Sequence, residues 1–479
     1  MTDVADNIKG DTVHEQDGQL ESDFLRSARL AKDKLDSISP SMCLAKWSQV
    51  SLHLPTGLNN SCYHPPLHKI DADEVAKDPA ALHNTAHKKR QRKKMMEGER
   101  PAECSYCWNI EDTGNYSDRH YRSGEPWAMM DFDKIEQGGY DKNINPRYVE
   151  VNFNHACNFA CTYCSPQFST TWGQEIDKHG AYPTIKEHNA PEHFTGRNRP
   201  VPAREENPYV DAFWKWWPDM YKDLKHFRMT GGEPMMDKNT YKVFDWVLEN
   251  PKPDLHLNVT SNFCPPNEKL WDKYLDYVKR ICAKDNVEHF MNFVSIDTWG
   301  PQAEYIRRGL DFDRMWNHVD QFLTEIPGRN SITFIITYNN LSIVGIKKLL
   351  QGILELRKKH SHDYQRIWFD TPLLREPDWQ NIQILPESYQ MIHEEAIEWM
   401  RENIETRDNR LHCIKDFEIQ RMERDLAYMK KGAPDRDRKR ADFWKFFKEY
   451  DKRHDLNVRE VFPEMKQFFD LCEAEANKW

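Results

Sequence analysis

Short runs of β-branched and aromatic residues alternate with longer amphipathic or polar stretches from Arg147 onward. Six such runs have room for a helix between them, a pattern typical of a parallel sheet with helical crossovers. In the stretch after the fifth run, helical spacing is kept by five apolar residues: Ile343, Ile346, Leu349, Ile353 and Leu356. In such sheets the functional side chains follow the carboxyl ends of the strands. The runs are YVEVNF, HFRM, LHLNVT, FMNFVSI, ITFIITY and IWFD.

The segments around this region differ in character and predict four parts. Residues 1–41 are polar and acidic and predict a loosely attached, partly disordered arm. Residues 42–130 combine short apolar pieces with four cysteines and predict a small domain held by a metal centre. Residues 145–375 hold the six predicted strands, and residues 376–479 follow a helical pattern. The long connection over 165–225 indicates either a functional lid or a disordered insertion.

Composition narrows the class of protein. The chain has 479 residues and a formal net charge of −10, which argues against a surface that follows nucleic acid throughout. The sequence lacks an apolar run of about 18 residues that would cross a bilayer, and its start does not resemble a signal peptide. We therefore expect a cytoplasmic protein without membrane contact. In a reducing compartment its 11 cysteines indicate metal binding or catalysis more than disulfides.

Three cysteines lie close together directly after the first predicted strand. The segment CNFACTYC places Cys157, Cys161 and Cys164 in the spacing C-x-x-x-C-x-x-C. Soft thiolates on one short loop can hold an iron–sulfur cube, and three ligands leave one iron open for catalysis. The alternatives are a zinc knuckle or three unrelated buried cysteines.

A glycine-rich turn follows the second predicted strand. HFRMTGGEP contains Gly231, Gly232, Glu233 and Pro234. Glycines let the backbone approach a ligand closely, and an acidic side chain suits a positively charged amino group. Taken alone, a segment of this kind is more often an ordinary turn than a ligand site.

Four further cysteines occupy the segment that precedes the first strand. Cys43 and Cys62 form the pattern C-x13-G-x4-C with Gly57, and Cys104 and Cys107 form a distant C-x-x-C pair. Four thiolates can close a metal site completely. The spacing suits structural zinc as well as a fully ligated cluster.

The three-cysteine loop and the GGEP turn, in this order, resemble the radical S-adenosylmethionine (radical SAM) superfamily, including the aromatic Tyr163 before the last cysteine. The resemblance implies a partial (β/α)6 barrel of the TIM type and a [4Fe–4S] cluster whose open iron binds S-adenosylmethionine. One electron from the cluster would then release a 5′-deoxyadenosyl radical that abstracts a substrate hydrogen. It also implies that the GGEP turn positions the methionine end of S-adenosylmethionine. Similar proteins contact the ribose and carboxylate at the ends of the third and fourth strands, here at Ser261, Asn262, Ser295 and Asp297. Taken singly, each of these residues could equally cap a strand or form a turn.

The four N-terminal cysteines resemble the Twitch type of the SPASM/Twitch auxiliary domain. In the family this domain usually follows the barrel, whereas here it precedes it. The resemblance implies an auxiliary [4Fe–4S] cluster for electron transfer, an electron donor such as flavodoxin or ferredoxin, and oxidation or modification of a peptide or small molecule. We leave the general base unassigned, since Asp297 and Asp370 at predicted strand ends could equally anchor a ribose or a loop.

Two other functions stay open from the sequence. The basic run His87–Lys94 is compatible with an RNA-modifying two-cluster enzyme, although a solvated helix face explains such a run more simply. The second is a non-catalytic interaction protein that uses zinc or a cluster only to stabilise its domains. The tryptophans at 214, 216 and 217 predict a core helix more than a stacking platform. The remaining cysteines are predicted to be buried small hydrophobes: Cys264, Cys282, Cys413 and Cys472.

Overall fold

The computed structural model describes residues 13–16, 19–195, 199–202 and 205–479. Within these residues the chain forms two compact units, which are described separately below. Unit 1 contains the described residues of 1–154, 200–231 and 252–258, and unit 2 those of 155–199, 232–251 and 259–479. This division by contacts runs across the four segments predicted from the sequence, which stay a prediction.

The described residues form thirteen strands. Six of them match the six hydrophobic runs, so the prediction of these strands is confirmed. In chain order the strands are β1 (Val13–Gln16), β2 (Gln19–Ser22), β3 (Gln49–His53), β4 (Leu58–Asn60), β5 (His68–Lys69), β6 (Tyr148–Asn152), β7 (Ala160–Cys161), β8 (His226–Thr230), β9 (Lys252–Ser261), β10 (Val287–Ile296), β11 (Arg307–Arg308), β12 (Asn330–Ile336) and β13 (Ile367–Asp370).

Among the described residues, eight α-helices precede β6: α1 (Asp23–Asp36), α2 (Ala45–Ser48), α3 (Ala72–Lys77), α4 (Ala86–Met96), α5 (Ser105–Glu111), α6 (Asp118–Gly124), α7 (Pro126–Met129) and α8 (Phe132–Gly138). Seven lie between β7 and β13: α9 (Thr170–His179), α10 (Pro208–Asp223), α11 (Lys238–Glu249), α12 (Glu268–Cys282), α13 (Pro301–Ile306), α14 (Phe312–Glu325) and α15 (Ile346–His360). Five follow β13: α16 (Gln390–Glu402), α17 (Asp416–Lys430), α18 (Arg436–His454), α19 (Val458–Val461) and α20 (Lys466–Ala476).

The sheet of unit 1 is mostly parallel, with the order β9-β8-β6-β3-β4-β5. Strand β3 pairs in parallel with β6, and β6 pairs in parallel with β8, while β4 and β5 add an antiparallel edge. The segment before the barrel region therefore contributes strands to the same sheet as β6. In unit 2 the order β13-β12-β10 is also parallel. The fold class is mixed α/β with a large, mainly parallel sheet, and closure into a partial barrel stays a prediction.

The two faces of the unit 1 sheet differ sharply in chemistry. On β6 and β8, Val149, Val151, Phe227 and Met229 are fully buried, and α10 covers this face by packing Trp217 on Phe227 at 4.8 Å between ring centroids. Because side chains alternate along a strand, the residues between them point to the opposite side. We call that side the polar face; on β6 and β8 it consists of Tyr148, Glu150, Asn152, His226, Arg228 and Thr230.

The helices agree with several sequence predictions. Trp216 and Trp217 are buried on α10, as expected for a core helix, and the helical pattern after residue 376 corresponds to α16 to α20. The four cysteines expected to be small hydrophobes are buried. In the predicted arm, α1 packs on α6, where a side chain at Gly124 would meet Ala31. Residues 1–12 and 17–18 of that arm, and residues 196–198 and 203–204 of the long connection, lie outside the described residues.

The basic run on α4 is only partly a solvated face. Lys88 and Arg92 are fully buried, where they hydrogen-bond backbone carbonyls and His83. Burial and the charge of Arg92 lower the pKa of Lys88 well below its ordinary value. The run therefore offers fewer cations to a nucleic acid than its sequence implies.

Among the helices that the structure describes, none combines the length and the apolar character needed to span a membrane.

Candidate functional site

The three-cysteine loop of unit 2 is folded so that two of its sulfurs accept hydrogen bonds. The backbone N–H of Phe159 donates to the Cys157 sulfur at 3.4 Å, and Nη1 of Arg307 donates to the Cys161 sulfur at 3.6 Å. Burial, and after it the neighbouring Cys161, raises the pKa of both Cys157 and Cys164, so the three thiols lie within electrostatic range of one another. Hydrogen bonds to sulfur are a feature of iron–sulfur sites, where they tune the cluster.

The GGEP turn lies directly on this loop. The backbone N–H of Glu233 donates to the carbonyl oxygen of Ala156 at 2.7 Å. A Cβ added at Gly232 would stand 2.2 Å from the same oxygen, so the position accepts only glycine. Gly231 has φ +124°, a conformation that a side chain would strain, and a Cβ there would meet Asn152 at 2.2 Å. Two motifs about 75 residues apart in the sequence are thus joined through a backbone contact.

We expect Gly232→Ala to disrupt this contact. The added methyl would overlap backbone atoms of the cysteine loop, which cannot turn aside as a flexible side chain can. Overpacking of this kind costs roughly 1–3 kcal/mol, and the loop would shift with it. Thermal unfolding and iron content of the reconstituted protein measure the two effects.

Gly173→Ala is the matched control because Gly173 lies inside α9 with open space around its Cα. Alanine there should be neutral or stabilise the protein by about 0.5–1 kcal/mol. Equal losses in both variants would contradict the role given to Gly232.

Glu233 connects the turn to the end of β9. Its carboxylate accepts hydrogen bonds from the Ser261 hydroxyl at 2.8 Å, the Asn262 N–H at 2.8 Å and the Met235 N–H at 3.0 Å. Burial raises the pKa of Glu233 to about 7, although these three hydrogen bonds act in the opposite direction. Three of its four acceptor positions are therefore used to hold protein groups. In this geometry Glu233 positions the loop, a role different from direct contact with an amino group.

Asn262 closes the same network. Its side-chain N–H donates to Asn158 Oδ1 at 2.9 Å, and its Oδ1 accepts the N–H of Cys264 at 2.8 Å. Asn158 belongs to the cysteine loop and also donates to the carbonyl of Cys264 at 2.8 Å. Both predicted residues at the end of β9, Ser261 and Asn262, are thus engaged with the protein next to the GGEP turn and the cysteine loop.

Asp297 contacts Tyr163 of the cysteine loop. The Tyr163 hydroxyl donates to the two carboxylate oxygens of Asp297 at 3.1 and 3.0 Å. Arg307 pairs with the same carboxylate, with Nε 2.9 Å from Oδ2 and Nη2 donating to Oδ1 at 3.2 Å. Burial acts to lower the pKa of Arg307, but the opposing effects of Asp297, Tyr163 and Cys161 are larger together, so the pKa lies above its ordinary value and the guanidinium stays charged. Ser295, the other predicted residue of β10, is half-buried one residue beyond Val294 on the strand.

The four N-terminal cysteines come together in unit 1. The sulfur-bearing residues line one cavity with about 510 Å³ of empty volume, part of it open to solvent. Three of them are buried and Cys62 is half-buried. Burial, followed by repulsion from Cys43 and Cys62, raises the pKa of Cys107, and burial raises that of Cys104 to about 12. These thiols would release protons on binding a metal.

Cations surround this cavity. Lys46, Arg119 and Arg122 all line it, and Lys46 is 2 % exposed. Lys46 Nζ donates to Glu103 Oε1 at 2.5 Å, and Glu103 Oε2 lies 2.7 Å from His87 Nε2. Burial lowers the pKa of Lys46, but Cys104, Glu103 and Cys62 together raise it above its ordinary value. The positive charges of these side chains would offset the negative charge of a metal centre bound by thiolates.

Tyr63 connects the cavity to the polar face within unit 1. Its hydroxyl donates to Glu150 Oε2 at 3.3 Å and lies 3.2 Å from the Tyr148 hydroxyl. Arg122, which lines the cavity with Tyr63, stacks over the rings of Tyr63 and Tyr148 at 5.6 and 6.0 Å. On the polar face, Arg228 Nη1 lies 3.5 Å from Glu150 Oε2.

The chemistry of both cysteine sets is compatible with a metal centre held by sulfur. In the part of the chain that the structure describes, no three His, Cys, Asp or Glu side chains are arranged to hold one metal ion. One site has thiols that accept N–H···S hydrogen bonds, and the other has buried cations beside its thiols. Both features are compatible with an iron–sulfur cluster.

Sequence reasoning missed the cations at both sites. Arg307 stands in an unremarkable segment after β10, and Lys46, Arg119 and Arg122 belong to no motif. Their relevance depends on tertiary contacts, which the spacing of cysteines does not reveal.

Neither a family model nor a curated protein matches this chain. Among solved structures, Streptococcus suis SuiB bound to S-adenosylmethionine is 13% identical, covering 65% of this chain and 62% of SuiB, with a TM-score of 0.34. SuiB alone is 12% identical over 76% of this chain and 69% of its own, at 0.34. SuiB bound to the precursor peptide SuiA is 13% identical over 70% and 65%, at 0.33. This chain thus spans less than two thirds of the first of these structures, and a likeness at this level assigns neither family nor activity.

Proposed function

We propose that this chain is a radical SAM enzyme with two [4Fe–4S] clusters in a partial (β/α)6 barrel fold. Cys157, Cys161 and Cys164 would hold the reactive cluster and S-adenosylmethionine. The observation that carries the proposal is the hydrogen bond from Glu233 to Ala156, which seats the GGEP turn on the cysteine loop. An isolated turn or a structural zinc knuckle would not require that contact.

When bound, a [4Fe–4S] cluster with an open iron supplies the electron that cleaves S-adenosylmethionine to methionine and a 5′-deoxyadenosyl radical. The protein's part is to bind and orient the reactants. Gly232 lets the GGEP turn pass close to the cysteine loop, and the methionine end would lie at this turn. Glu233 holds Ser261 and Asn262 in place beside it.

The four cysteines of unit 1 would hold the auxiliary cluster, whose role is electron transfer. Full ligation leaves no iron for substrate, and the surrounding cations Lys46, Arg119 and Arg122 would stabilise its negative charge. An external donor such as flavodoxin or ferredoxin would supply electrons to the enzyme.

The polar face supports a polar substrate. The interior of a β/α barrel is usually filled with branched aliphatic side chains. Here the corresponding positions of β6 and β8 carry hydroxyl, imidazole, amide and ionic groups, including the pair Glu150 and Arg228. Groups of this kind can hydrogen-bond or pair with a polar molecule. The substrate would therefore be a peptide or small molecule with charged or hydrogen-bonding groups, oxidised or modified at a C–H bond.

Anaerobic reconstitution with iron and sulfide tests the proposal. The protein should turn brown, hold about eight irons per chain, and release 5′-deoxyadenosine from S-adenosylmethionine when reduced with dithionite, as measured by liquid chromatography with mass spectrometry. Colourless protein with stoichiometric zinc and no 5′-deoxyadenosine would instead support a non-catalytic metal-binding protein.

A further inference from the structure

A short antiparallel ladder in unit 2 places an arginine against one thiol of the three-cysteine loop. Strand β7 pairs with β11 so that Arg307 stands opposite Cys161 and Arg308 opposite Ala160. Thr162 extends the pairing by donating its N–H to the Ile306 carbonyl at 2.8 Å. The alignment of Arg307 with Cys161 is thus fixed by backbone hydrogen bonds and does not depend on the side chains.

The turn after β11 is equally tight against the loop. Gly309 has φ +109°, and a Cβ there would stand 2.8 Å from the carbonyl oxygen of Asn158. On the other side, the indole N–H of Trp172 donates to the Cys161 carbonyl at 2.8 Å. The cysteine loop is therefore held between α9 and the β11 segment, which leaves Arg307 little freedom to move away.

Arg307 is 5 % exposed, and its guanidinium has defined partners. Nη1 donates to the Cys161 sulfur at 3.6 Å, and the opposite edge pairs with Asp297. Its carbon lies 5.7 Å from the Tyr163 ring centroid, and the Tyr163 hydroxyl donates to Asp297. Asp297 and Tyr163 thus orient the guanidinium so that one N–H points at sulfur.

We propose that Arg307 is a positioning residue that sets the reduction potential of the cluster held by Cys157, Cys161 and Cys164, and that Asp297 opposes and orients it. This rests on the proposed function. One electron from an external reductant enters the cluster, and no bond or proton changes at Arg307. The added negative charge is stabilised by a buried cation at hydrogen-bond distance and destabilised by a nearby carboxylate, so Arg307 raises the potential and Asp297 lowers it.

Because Arg307 and Asp297 should shift the reduction potential in opposite directions, the two variants together separate this proposal from a general disturbance of the site. Anaerobic redox titration of the reconstituted full-length protein, followed by electron paramagnetic resonance, measures the midpoint potential. The relevant signal is the one that changes when S-adenosylmethionine is added. In Arg307→Gln the reduced-to-oxidised ratio at a fixed potential should fall at least tenfold, 59 mV for one electron. In Asp297→Asn it should rise.

Arg308→Gln is the matched control, because Arg308 is the next residue of β11 and pairs with Glu175. It should leave the midpoint in place. If Arg307→Gln takes up no cluster, Arg307→Lys, which keeps the charge but not the planar donor geometry, should show a smaller fall. Asp297→Asn should still show its rise.

Shifts of the same sign in the Arg307 and Asp297 variants, or no shift beyond that of the Arg308 control, would overturn the inference while leaving the proposed function intact. A wild-type protein without a signal sensitive to S-adenosylmethionine would overturn both.

Discussion

Cys157→Ala should abolish 5′-deoxyadenosine formation and reduce the iron content from about eight to about four per chain, the number in one cluster. Cys157 supplies one of three sulfurs on a loop that has no replacement ligand in its sequence between residues 157 and 164. Loss of a direct ligand should therefore exceed the roughly 10–100-fold effect of changing a group that only supports a ligand. Iron and sulfide assays with product analysis by mass spectrometry provide the measurement.

Cys282→Ala serves as the comparison for that variant. Cys282 is a buried cysteine of the same unit, at the end of α12 and away from the loop in the sequence. Its replacement should keep both iron and activity. If Cys157→Ala still released 5′-deoxyadenosine, the assignment of the reactive cluster to this loop would be wrong.

The largest effect on stability should come from replacing Cys104 and Cys107 together by alanine. These residues line the unit 1 cavity with buried Lys46, and among the described residues Glu103 is the carboxylate that pairs with this cation when no metal centre is present. Metal binding contributes directly to folding at such sites, with values of about 10–16 kcal/mol for structural zinc at its strongest. The double variant should lose about four irons and unfold at a clearly lower temperature.

A single change on the same helix serves as a control that distinguishes loss of metal from a change in local packing. Ser105 is exposed at the start of α5, between the two cysteines, and Ser105→Ala should leave iron content and unfolding temperature near those of the wild type. If the double variant keeps all its iron, the four cysteines do not form a cluster site. If the metal lost is zinc, the site is structural and the proposed electron-transfer role is wrong.

Strands were the most predictable part of the fold. The six hydrophobic runs are short, rich in β-branched and aromatic residues and bounded by polar segments, and local chemistry of this kind decides where strands form. Strand β3 was visible only as a short apolar piece, because its pairing with β6 depends on residues about 100 positions away. The helix α15 begins at Ile346, after Gly345, which is later than the apolar pattern from Ile343 indicates.

The candidate site, like the fold, has a part that the sequence predicts and a part that it does not. Cysteine spacing is a local property, so the two ligand sets could be proposed from the sequence, although their metal content stays a prediction. The side chains and backbone groups that contact those residues could not be predicted from the sequence. Glu233 was expected to face an amino group, yet its carboxylate holds Ser261 and Asn262. Lys88 was expected in a solvated run but is buried against His83. Both outcomes depend on burial, which follows from the packing of distant segments.

The two-faced character of β6 and β8 has a consequence for tolerance to mutation. Neighbouring positions such as Val149 and Glu150 face different environments, aliphatic on one side and polar on the other. A saturation scan along these strands should therefore give two interleaved profiles. Polar substitutions at Val149, Val151 and Phe227 would reduce the amount of folded protein, whereas conservative changes at Glu150 and Arg228 would leave folded protein but alter which molecules it accepts.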